Sequence, residues 1–204
     1  GLMGASPTLW GQDYQVPPTF LSLPQVSVAA TEGPLATLSN PAGLGIKGHD
    51  SFYLIAPYLT EGNFGDWGIA SGGDGFGFTA EILSNSDPNP KLNARRRYTW
   101  GLGGGEKGVY FGVAYSWTTR LDRQNTWDAG ILIRKLQFLS VGAVVRGFNT
   151  PNIRGIKSNA GYEVGLAFRP MGVFNQIGAD GTDILTLTAD ASFNKFDTFT
   201  DNSG

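Results

Sequence analysis

The chain has 204 residues, no cysteine, one histidine and a formal charge of −2 from 15 basic and 17 acidic side chains. Without cysteine there is no disulfide, no thiolate nucleophile and no thiolate metal site. A charge balance this close to neutral lacks the basic excess of a nucleic-acid binder, so no nucleic-acid partner is expected.

The length suits one all-β domain or one barrel. Mean hydropathy is −0.12, and no apolar run approaches the ~20 residues that a membrane helix needs. That composition remains compatible with a membrane-spanning strand, which needs only ~9–11 residues with every second one apolar. The first residues, Gly1-Leu2-Met3-Gly4, carry neither the basic nor the apolar region of a secretory leader, so an exported chain would be a processed form.

In chain order, residues 1–48 come first and differ from the rest. They hold Pro7, Pro17, Pro18, Pro24, Pro34 and Pro41, over half of the 11 prolines. Proline cannot donate to a sheet ladder, so the segment reads as an irregular plug or arm with a short helix near Gly33–Ser39. Residues 49–204 read as antiparallel strands. The expected strands are Ser51–Leu59, Asp66–Gly72, Gly75–Leu83, Arg97–Gly104, Gly108–Thr119, Thr126–Lys135, Phe138–Phe148, Asn159–Arg169 and Asp183–Asn194. Leu136-Gln137 is a tight turn, whereas Ser84–Arg96 and Asn149–Ser158 are longer loops.

The strands alternate with a period of two. Leu185, Leu187, Ala189, Ala191 and Phe193 share one face, opposite Thr186, Thr188, Asp190 and Ser192. Val109, Phe111, Val113, Tyr115 and Trp117 form another apolar row. Alternation alone fits both a barrel in lipid and a sandwich in water, because the two differ only in which face meets the solvent. Runs of ten or eleven residues favour the barrel over globular sheets, whose strands average about 5–6. Gly112, Gly130, Gly142 and Gly165 on the non-apolar face imply close approach of backbone or plug. The expected fold is therefore an all-β antiparallel transmembrane barrel, or part of one, with an irregular N-terminal plug. The alternative is a soluble β-sandwich that binds or adheres.

Residues Ala29–Ile46, centred on Asn40-Pro41-Ala42-Gly43-Leu44, resemble the N-terminal hatch motif of the FadL/PorV superfamily of outer-membrane barrels. Trp127–Arg134, Leu139–Asn149 and Gly165–Pro170 resemble that superfamily's glycine-punctuated strands. The resemblance implies a bacterial outer-membrane location and a barrel of about fourteen strands around a small plug. It also implies one of two roles: transport of hydrophobic or small solutes, or anchoring in a type IX-like secretion assembly. The implied partners are outer-membrane lipid, lipopolysaccharide and envelope proteins. Asn40, Pro41 and Ala42 would form the plug's tight turn. Eight or nine expected strands, and an ending Asp201-Asn202-Ser203-Gly204 without a closing aromatic, point to the N-terminal part of a longer chain. Some proteins of this kind continue into an envelope protease.

No cofactor, metal or catalytic residue is expected, and the chain reads as a non-enzyme. Gly43–Gly48 and Gly103–Gly108 both satisfy G-x-G-x-x-G, but each leads into a strand where a dinucleotide site needs a helix. His49-Asp50 is the only base–carboxylate pair, and no serine is marked as its nucleophile. Carboxylates around Asp87 or Asp197–Asp201 lack the spacing of a calcium loop. Asp128, Arg134, Arg146, Glu163, Arg169 and Asp190 fall on the polar faces of neighbouring strands, where lumen-facing charges would pair and hold the plug backbone. Arg95-Arg96-Arg97 is a basic cluster suited to anionic lipid. Trp67, Trp100, Trp117 and Trp127 lie near strand ends, as the rings of an interfacial girdle do.

Overall fold

The computed structural model describes residues 27–48, 50–56, 67–83, 95–119, 125–150, 152–153, 156–157, 159–170 and 185–193. Nine strands make one antiparallel sheet: β1 (Ser51–Ile55), β2 (Trp67–Gly73), β3 (Phe76–Leu83), β4 (Arg95–Glu106), β5 (Val109–Thr119), β6 (Asn125–Leu136), β7 (Leu139–Arg146), β10 (Gly161–Phe168) and β11 (Leu187–Phe193). Each strand pairs with the next of these nine in chain order. Two short strands, β8 (Asn152–Ile153) and β9 (Ile156–Lys157), make a separate ribbon inside the stretch expected to be only loop.

Turn chemistry sets the hairpins. Asp74-Gly75 has φ of 46° and 88°, and Lys107-Gly108 has 53° and 78°. Left-handed pairs of this kind match the twist of the flanking strands in two-residue turns. The second glycine-rich match, Gly103–Gly108, is thus the end of β4 and its turn. Gln137-Phe138 joins β6 to β7 without a left-handed residue, and β6 carries a register shift between Ile133 and Leu136. At the other end, Asn149 prolongs this pair: its side chain accepts from Trp127 N at 2.9 Å and donates to Asn125 O at 2.7 Å.

The expected short helix is a 3-10 turn, Gly33–Thr37, followed by a second at Pro41–Gly45. The segment from Ser27 to Ile46 crosses one face of the sheet, touching β11 through Ser27 and packing its two turns on β1–β6. We call this the plug face.

The two faces of the sheet differ in polarity. On the plug face Glu81, Arg97, Thr99, Ser116, Asp128, Ser140 and Arg146 are buried. On the outer face Leu54 is 68% exposed, Phe111 58% and Leu187 55%. Among the described residues no second large sheet covers that outer face.

Closure of the sheet into a barrel, expected from the strand pattern, does not occur among these residues. The sheet is open, with β1 and β11 as its edges. The geometry explains why. Eight successive antiparallel steps leave β1 and β11 running in the same direction, so they could join only as a parallel pair.

Candidate functional site

The site is the trough that the plug fills. Its floor is glycine: Gly77 on β3, Gly101 and Gly103 on β4, Gly112 on β5, Gly130 on β6, Gly142 on β7 and Gly165 on β10. Cross-strand register aligns them, with Gly77 opposite Gly101, Gly103 opposite Gly112, Gly112 opposite Gly130, and Gly142 opposite Gly165. A Cβ at Gly112 would overlap the Pro41 carbonyl, at Gly130 the Asn40 amide and at Gly142 the Val28 carbonyl. At Gly103, Gly112 and Gly142 plug backbone rests directly on the sheet, while Gly77, Gly101 and Gly130 take plug side chains.

Each residue of the Asn-Pro-Ala-Gly-Leu element has a local reason. Asn40 caps the second 3-10 turn, its Oδ1 accepting from Ala42 N at 3.1 Å. Its Nδ2 donates to Val28 O at 2.7 Å and to Ile131 O at 3.1 Å, so one fully buried amide ties the plug to itself and to β6. Pro41 starts the turn, where a missing N–H costs nothing. Ala42 is fully buried. Gly43 sits where a Cβ would strike the Thr31 carbonyl, and Leu44 drops onto Gly77 and Gly101.

Charged side chains grip the plug along the β6–β11 half. Arg146 is the centre. Its Nε and Nη2 donate to the two oxygens of Glu163 at 3.1 and 2.7 Å, and Nη1 lies 3.4 Å from Asp128 Oδ2. The same guanidinium donates to the plug carbonyls of Leu38 at 2.9 Å and Ser39 at 2.5 Å. Asp128 is held in turn by Gly147 N at 2.8 Å. Asp190 on β11 accepts from Ser27 Oγ at 2.8 Å and Val28 N at 3.2 Å. Arg134 forms an ion pair with Glu32 of the plug, and Arg169 lies 3.8 Å from the same carboxylate.

All six charges singled out from sequence thus lie on the plug face, but in three groups: Arg146 with Asp128 and Glu163, Arg134 and Arg169 around Glu32, and Asp190 alone against Ser27. Two anchors carried no sequence signal. Glu32 is one carboxylate in a proline-rich run. Ser140 donates to Ala29 O at 2.6 Å and accepts from Arg169 at 3.2 Å, yet reads in sequence as one more small polar residue on an alternating strand.

The basic cluster does not survive as a unit. Arg97 is buried on the plug face, 3.8 Å from Glu81 and donating to Ser116 Oγ at 3.2 Å. Strand alternation puts Arg96 on the opposite, exposed side. Anionic-lipid contact by the three arginines as one cluster is corrected on that ground: β4 starts at Arg95, so successive arginines cannot share a face.

Beside the plug, at the short-turn end, Glu32, Leu44, Ile46, Tyr53, Asp74 and Phe76 line a recess of about 250 Å³. His49, Asp87 and Asp197–Asp201 lie outside the described residues. The first glycine-rich match, Gly43–Gly48, runs from the 3-10 turn toward β1. Comparison with protein-family models, with curated proteins and with solved structures gave no match.

Proposed function

We propose that this chain forms part of the wall of a bacterial outer-membrane β-barrel and carries its own plug, the whole serving as a gated conduit for hydrophobic or small solutes. The observation that carries the reading is the inversion of faces. A sheet that buries Glu81, Arg97 and Arg146 while leaving Phe111, Leu166 and Leu187 exposed is stable where acyl chains cover the outer side. In water the same outer side would be an apolar patch far beyond what soluble monomers expose.

Length and edge pattern support it. β4, β5 and β6 have 12, 11 and 12 residues, enough to cross a hydrocarbon layer at a tilt. Two-residue turns lie at one end of β2–β7, and longer connections at the other. A spanning sheet cannot leave its edges unpaired in lipid, so the reading requires further strands to close it. Because β1 and β11 run the same way, all-antiparallel closure takes an odd number of them.

The plug supplies the gate, and the Asn40 side chain makes three hydrogen bonds within it and to the sheet. Asn40→Ala removes the donor that Val28 O and Ile131 O share in a buried setting, a loss of about 2–3 kcal/mol. In proteoliposomes, efflux of a small fluorescent solute through the Asn40→Ala protein should rise several-fold over the parent. Equal efflux from both would remove the conduit. A second reading, a static anchor for a surface or secretion assembly, is favoured by the number of bonds pinning the plug. It requires a partner protein that co-purifies in detergent, and a lone monodisperse species would count against it.

A further inference from the structure

The sheet holds most of the plug through backbone groups. Arg146 takes the carbonyls of Leu38 and Ser39, Ser140 takes that of Ala29, and Asp190 takes the Val28 N–H. Glu32 differs, because its contact with the sheet is a side-chain carboxylate in an ion pair. It stands at the N-cap of the first 3-10 turn, yet its side chain makes no cap hydrogen bond there. One oxygen, Oε1, faces two guanidiniums: it is ion-paired with Arg134 Nη1 and lies 3.8 Å from Arg169 Nη2.

The two arginines stand on fixed backbone. Arg134 N donates to Gly108 O and Arg169 N to Phe138 O, each at 2.7 Å, which pins both at the short-turn end. The Arg169 side chain is 3% exposed and donates to Ser140 Oγ at 3.2 Å, so its fork is held from within. On the open side the Arg134 side chain is 21% exposed and that of Glu32 42%. Glu32 also lines the recess of about 250 Å³ beside the plug, so solutes reach it from the short-turn end.

We propose that Arg134 and Arg169 form a binding site for a phosphate group, which Glu32 occupies as an internal stand-in while the plug is seated. The inference rests on reading the plug as a gate, and adds the ligand class that competes with its latch. The geometry favours phosphate over a second carboxylate. The carboxylate at this place brings one oxygen to two cations, and Arg169 stays beyond hydrogen-bond reach of it. A tetrahedral phosphate carries enough oxygens for each guanidinium to have its own, and guanidinium forks pair with phosphate in that way.

The test titrates the full chain, in detergent micelles at constant ionic strength, with inorganic phosphate read by phosphorus NMR line broadening. A site that Glu32 leaves free about a tenth of the time binds about tenfold more weakly than an open one. Glu32→Gln should therefore tighten phosphate binding by that factor. Arg134→Gln on the Glu32→Gln background should abolish binding while heat-modifiable gel migration stays unchanged. Asp74→Asn removes the same charge from another wall of the recess, and should shift the affinity by less than about twofold. Glycerol phosphate, run alongside, separates the two sources of the group: tighter binding assigns the site to phosphorylated solutes, weaker binding to the free ion. Equal affinity of the parent and Glu32→Gln proteins, binding that survives Arg134→Gln, or acetate binding as tightly as phosphate overturns the site. Binding is read without a membrane, so its failure is distinct from that of the gate. Phosphate bound as expected, with efflux from Asn40→Ala proteoliposomes equal to the parent's, would keep the site and remove the conduit.

Discussion

Arg146 shows how a buried charge earns its place here. Its guanidinium meets two carboxylates and two plug carbonyls, so every direction of the planar fork finds an acceptor. Removing it with Arg146→Met takes this cation from Asp128 and Glu163 and this donor from Leu38 O and Ser39 O. The expected cost is about 3–5 kcal/mol. Arg146→Lys restores charge but not the fork, and should recover only part of the loss. Urea unfolding of the refolded proteins in detergent micelles checks both, and full recovery by lysine would contradict the geometric account. That Arg146, Asp128 and Glu163 share a face was legible from alternation alone. That they converge was not, because convergence depends on register: Arg146 pairs with Gly161 on β10, and only the lateral offset brings Glu163 within reach. Arg97 escapes sequence reasoning for a related reason: a run of three arginines reads as one patch unless the strand start at Arg95 splits it between faces.

At the scale of elements, nine strands were readable because hydrophobic period and turn residues agreed along the chain. The ends were less so. β4 begins at Arg95, two residues before the expected Arg97, because arginine gives no strand signal, though Arg96 and Arg97 pair with Thr119 and Thr118 of β5. β8 and β9 have two residues each, too short for any periodicity to register. The glycine floor was the most informative pattern: glycine on the polar side of four strands implied something pressing on them, and Asn40, Pro41 and Val28 are what press. The consequence is testable on one strand. Gly142→Val forces a side chain into the Val28 carbonyl and should dislodge the plug. Chymotrypsin cleavage after Leu38 or Leu44, both buried in the parent, should rise at least about tenfold. Gly104→Ala is the control, since a Cβ there meets nothing within 4 Å, and it should cleave as the parent does. Equal resistance of the Gly142→Val protein would mean the plug does not depend on the floor.

For the whole molecule, the proposed reading assigns the two layers to different media. The plug and the polar face satisfy each other through hydrogen bonds, and the aromatic and aliphatic rows of the outer face stay exposed; in the proposed reading lipid covers them. Sequence alternation defined both faces but could not orient them, since a sandwich and a barrel wall share the same period. The structure adds the position of the 27–46 segment on the polar side, which the proposed membrane reading takes as the inside. Because the chain has no cysteine, single cysteines at Phe111, Val141 and Leu166 can each carry a nitroxide label in the protein reconstituted in bilayers. The account predicts that all three labels collide more often with dissolved oxygen, which concentrates in acyl chains, than with a water-soluble nickel chelate. Labels swept by the nickel chelate would put the outer face in water, and labels shielded from both reagents would put it against protein; either result would contradict the membrane wall.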